Sequence, residues 1–140
     1  MSVWEKLTSG QVLPGVYRLP ARTRPASVRR AVEPAGWRVF SIDGKDISDK
    51  PAFLGAVAAA MQFPDYVAKN WDAFEEAVRD LEWAPARGYV LIYAHAGQFA
   101  RSHDWPTALS ILNEAIRYWQ TQKTPLYVLL GDVPDTAELA

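Results

Sequence analysis

A chain of 140 residues with 49% hydrophobic and 22% charged side chains is long enough to bury one compact core and too apolar to stay disordered. Its 15 Lys and Arg nearly cancel its 16 Asp and Glu, and the formal net charge of -1 excludes the whole-chain basicity that most nucleic-acid binders use. Without any cysteine there is no disulfide, thiolate metal site or cysteine nucleophile, which fits a reducing, cytoplasmic compartment.

Residues 1–35 contain Pro14, Pro20, Pro25 and Pro34 and read as an irregular N-terminal extension, within which Val16 to Leu19 is at most a short strand. A domain is expected over residues 36–132. Trp37 to Ile42 alternates apolar and polar residues and runs into Asp43-Gly44, a strand followed by a turn. Asp49 can cap a helix with Pro51 in its first turn. Ala-rich Phe53 to Met61 then favours helix until about Gln62, because Pro64 disfavours helical geometry at Phe63. That apolar run is half a membrane span, and the first residues lack a secretory layout, so neither insertion nor export is expected.

Asn70 suits the N-cap of a second helix of about eleven residues, whose Trp71, Phe74, Val78 and Leu81 recur at helical spacing and face a core. Gly88 to Tyr93 is a near-continuous apolar run, as in a strand covered on both faces. Asp104 and Pro106 open a third helix, and Trp105, Ala108, Leu109, Leu112, Ile116 and Trp119 keep its period to about Gln122. Leu126 to Leu130 is another buried strand, and residues 133–140 form a polar tail expected to fray. This alternation predicts an α/β domain with a small parallel sheet of three strands, or four if Val16 to Leu19 joins, flanked by helices.

Charge is unevenly placed. Residues 1–40 hold seven basic and two acidic side chains, whereas 65–82 hold six acidic and two basic. Asp72, Glu76 and Asp80, four apart, stack on one stripe of the second helix, where each like-charged pair costs a few tenths of a kcal/mol. The helix dipole favours Asp72 in the first turn, and Glu75 can pair with Arg79; Glu76 and Asp80 receive no such help. A charge run of this kind is usually a solvated face. A row of carboxylates on a rigid helix also matches a basic cleft built for a nucleic-acid backbone, and its field would speed association with a cationic partner in a salt-sensitive way.

Other chemistry finds little footing. Ser102, His103 and Asp104 can be drawn as a hydrolytic set, but no strand-to-helix nucleophile elbow surrounds any serine, and His95 reads as a strand end. The acidic stripe lacks the histidines that usually accompany carboxylate metal ligands, and no glycine loop cradles phosphate, so no enzyme activity, metal or cofactor is expected. Arg22, Arg24, Arg29 and Arg30 lie among prolines with few aromatics, which argues against direct nucleic-acid binding and leaves pairing with the acidic helix or with another molecule open. Nothing in the pattern sets an oligomeric state.

The segment Phe63-Pro64-Asp65-Tyr66-Val67-Ala68-Lys69-Asn70-Trp71-Asp72-Ala73-Phe74-Glu75-Glu76 resembles the signature segment of the barstar family of ribonuclease inhibitors. The order of elements from about Trp37 to Leu130 is similar on both sides of it. The resemblance implies a barstar-like fold, no catalysis, and a second helix that, with its preceding loop, plugs the cationic active-site cleft of a barnase-like ribonuclease. It also implies roles at four positions: Tyr66 against the catalytic histidine region, Asn70 and Asp72 in polar contacts, and Glu76 where the family has its central aspartate. Trp71 falls at the edge of that contact, although periodicity alone makes it core. Glu75 stands where the family carries tryptophan, and Asp80 extends the stripe.

Departures from the family pattern bear on partner choice. Glu76 is one methylene longer than the family aspartate, Ala68 replaces a glycine that permits close approach, and Arg79 adds positive charge beside the stripe. A barstar-like immunity or adaptor module for a different cationic protein is therefore the rival expectation.

Overall fold

The computed structural model describes residues 1–139. In chain order the elements are α1 (Val3–Thr8), β1 (Val16–Arg18), α2 (Pro25–Val32), β2 (Trp37–Asp43), α3 (Lys50–Ala60), α4 (Trp71–Val78), β3 (Gly88–Ala94), α5 (Gly97–Ala100), α6 (Trp105–Thr121) and β4 (Leu126–Leu130). The four strands form one parallel sheet in the order β1-β4-β3-β2. Helical crossovers return each strand in the same direction, as parallel pairing requires. β3 and β4 occupy the centre, which is why their sequences are apolar on both faces.

Each face of the sheet has its own core. On one, Phe40, Leu91, Tyr93 and Val128 meet Phe53 and Val57 of α3, Phe74 and Val78 of α4, and Leu112 and Ile116 of α6. On the other, Val39, Val90, Ile92, Tyr127 and Leu129 meet Leu7 of α1, Val12, and Val28 and Val32 of α2. The result is three layers, helix, sheet and helix.

The first 35 residues are not irregular: they supply α1, β1 and α2. Their prolines bound elements rather than break them. Pro25 is the first residue of α2, where a missing N–H costs nothing, and Pro34 lies in a short 3-10 turn over Glu33–Ala35. A capping box starts α1, with Ser2 Oγ accepting from Glu5 N at 3.1 Å and Glu5 Oε1 accepting from Ser2 N at 3.2 Å. The Tyr127 hydroxyl donates to the Val12 carbonyl and ties this segment to β4.

The C-terminal residues are also held, contrary to the expected fraying. Arg18 of β1 donates its backbone N–H to the Ala137 carbonyl at 2.6 Å, and its guanidinium donates to the Pro134 carbonyl at 3.0 Å and to Glu138 at 3.3 Å. Leu139 is only 8% exposed in the second core. The short strand β1 thus has its outer edge covered by the tail. Among the described residues no helix is long and apolar enough to cross a membrane.

Candidate functional site

The acidic segment owes its shape to the core beneath it. Phe74, Ala77, Val78 and Leu81 are buried, which turns the opposite side of α4 to solvent and leaves Asp72 and Glu76 exposed. Asn70 sets where the helix begins, its Oδ1 accepting from Ala73 N at 2.8 Å. Two tryptophan N–H groups fasten the flanks: Trp83 Nε1 donates to the Met61 carbonyl at 3.0 Å and Trp119 Nε1 to the Val78 carbonyl at 2.9 Å.

The helix is shorter than its periodicity suggested, eight residues against about eleven. Arg79 N and Asp80 N bond to carbonyls three residues back, at 3.3 and 3.1 Å, and Leu81 adopts a left-handed φ of 48°. That reversal buries Leu81 and takes the chain away before another α-turn can form. Asp80 therefore sits in a turn rather than at the end of a helical stripe of three carboxylates.

Glu76 and Asp80 nevertheless share a groove of about 250 Å³ with Tyr66, Val67, Ala68, Ala73, Ala77 and Trp83. Its floor is largely apolar, its rim carries two carboxylates, and Tyr66 stands 75% exposed beside it. Asp72 lies one turn before Glu76 on the same exposed side. Among the described residues neither Asp72, Glu76 nor Asp80 has an ion-pair partner.

The remaining three sequence-selected residues have local roles as well. Glu75 is half-buried and pairs at 3.2 Å with Arg79, the residue that ends the helix, so that arginine is engaged by Glu75 and not by Glu76. Trp71 is half-buried, its ring 6.1 Å from that of Phe53, with Lys50 Nζ 5.3 Å above it. Asn70 is occupied as the cap. Sequence reasoning missed Trp83, Ala73 and Ala77 as groove-lining residues; Trp83 follows the helix in an irregular segment, where no period could signal it.

The N-terminal arginines do not neutralise this surface, because α2 packs on the sheet face opposite α4. Arg29 instead approaches Ser41 at 3.3 Å and Glu33 at 4.0 Å. The hydrolytic set does not assemble either: the Ser102 hydroxyl is buried with no hydrogen-bond partner among the described residues, and His103 is exposed, 3.7 Å from Asp104. His95 Nδ1 lies 3.1 Å from Asp43 Oδ1, and the Lys45 N–H followed by His95 holds the Asp43 carboxyl below its ordinary range.

Residues 37–131 match a family model described as Barstar (barnase inhibitor). The match begins with β2, so α1, β1 and α2 precede it. No curated protein matches the chain.

Proposed function

The chain belongs to the barstar family, and on that premise we propose that it is a non-enzymatic, cytoplasmic inhibitor that closes the active site of a barnase-like ribonuclease. In this reading Glu76 takes the place of an RNA phosphate, Tyr66 packs beside it, and Asn70 and Asp72 add polar contacts at the helix start. What carries the reading is the unpaired carboxylate face of α4, where Asp72 and Glu76 project into solvent with no arginine to quench them. A cationic cleft could neutralise both at once, and desolvation on docking would strengthen each contact.

A second reading is favoured by Asp80 and Ala68, which place an extra carboxylate and a methyl group on the groove. Under it, the same face serves an immunity or adaptor role toward a different cationic protein.

RNA cleavage by a barnase-type ribonuclease, measured with and without this protein, separates the two. Inhibition that Glu76→Ala weakens by about 2 kcal/mol, roughly 30-fold in Kd, supports the first reading, and Asp72→Ala should act in the same direction. Both variants should remain folded, since exposed substitutions usually shift stability by less than about 0.5 kcal/mol. Unchanged affinity in both would refute the interface.

A further inference from the structure

The two edges of the sheet differ. β1 is three residues long and its outer side is covered by the C-terminal tail through Arg18, Ala137 and Glu138. β2 is seven residues long, runs in unbroken register with β3 from Trp37 to Asp43, and contains no proline or bulge. Its outward groups follow from the pleat. Gly36 O accepts from Arg87 N at 2.9 Å and Gly44 N donates to Ala94 O at 2.7 Å, so even-numbered residues face β3. Trp37, Val39, Ser41 and Asp43 then direct their N–H and C=O groups away from the sheet. Among the described residues no loop, turn or side-chain hydrogen bond reaches any of these backbone groups.

An uncovered edge of this length invites another strand unless charge or geometry forbids it. Here charge selects a partner. At the start of β2 lie Arg38, which lines a cleft of about 450 Å³, and Arg87, whose side chain packs beside Gly36. Arg29 and Glu33 of the same cleft pair with each other at 4.0 Å, so Arg38 and Arg87, without an ion pair among the described residues, leave this end positive. At its last residue and just beyond, Asp43 and Asp46 outweigh Lys45. The edge is therefore positive at one end and negative at the other, which makes it complementary to itself when reversed.

We propose that two copies of this chain pair antiparallel through β2, about a two-fold axis at Phe40, to join their sheets into one. This register sets Trp37 opposite Asp43 and Val39 opposite Ser41 of the second copy. Every outward N–H and C=O is then used in a hydrogen-bonded pair, and each acidic end meets a basic end. No residue of the Glu76 groove lines the β2 cleft, so the acidic face stays available.

Sedimentation velocity from micromolar to near-millimolar concentration reads the assembly. The expected result is a dimer that weakens with added salt. Ser41→Pro removes one outward N–H at a site where an edge strand tolerates proline, and should raise the dimer dissociation constant at least about tenfold with circular dichroism unchanged. Ser41→Ala, which loses the Arg29 contact but keeps the N–H, should dimerise like the wild type. Hydrogen exchange on the unmodified chain gives a reading independent of any variant: amides of Trp37, Val39, Ser41 and Asp43 should slow as concentration rises. A chain that stays monomeric throughout, a Ser41→Pro dimer of undiminished affinity, or concentration-independent exchange at those amides would overturn the pairing.

Discussion

Leu7 tests whether the segment preceding the family match is an integral layer of the fold. It is 0% exposed, under α1 and against the sheet core that includes Tyr127 and Leu129. Leu7→Ala removes three buried carbons at about 0.8 kcal/mol each, or about 2.4 kcal/mol of transfer free energy. Incomplete collapse of the space left behind brings the expected loss to about 3–4 kcal/mol. At roughly 3 °C per kcal/mol for a chain of this size, Tm should fall by about 10 °C. Urea denaturation followed by tryptophan fluorescence and far-ultraviolet dichroism should show one coincident transition at a lower midpoint and the same slope. A loss below about 0.5 kcal/mol, or a separate early transition that leaves the main one unmoved, would mean that residues 1–35 only lean on an independent domain.

Asn70→Ala should cost about 1 kcal/mol by freeing the Ala73 N–H, measured as a lower urea midpoint, and should loosen the turn that carries Asp72. Gly44→Ala would drive a methyl group to within 2.6 Å of the Tyr93 ring and against the His95 carbonyl, so a loss of about 1–3 kcal/mol is expected by the same measurement. Alkali should destabilise the fold through its buried tyrosines. Burial pushes the Tyr127 phenol up to about 12, and raises Tyr89 and Tyr93 as well. Because the folded chain binds these protons more tightly than the unfolded one, the contribution is intact below about pH 10 and is lost as pH rises through about 12. Denaturant midpoints that stay level between about pH 9 and about pH 11.5 would contradict this.

The acidic face was legible because its determinants are local. Asn70 caps its own helix, Phe74 and Val78 choose the buried side by their spacing, and Glu75 takes Arg79 one turn away. The groove beside that face was not. It joins Tyr66 before the helix to Trp83 after it, and Trp83 is placed by a bond to Met61, a residue from the end of α3. The length of α4 escaped for a related reason: the spacing of Leu81 fits a helix, but burying Leu81 in this core takes a backbone reversal.

By itself the chain determined its alternation of strands and helices, the central positions of β3 and β4, and the side of α4 that would carry charge, since periodicity and propensity act within a few residues. Tertiary structure alone decided that α1 and α2 cover the far face of the sheet, that the tail shields β1 and that β2 is left open. A second apolar face must be covered by something, but which distant segment covers it is set by closure of long loops and the fit of side chains, quantities that no local pattern contains.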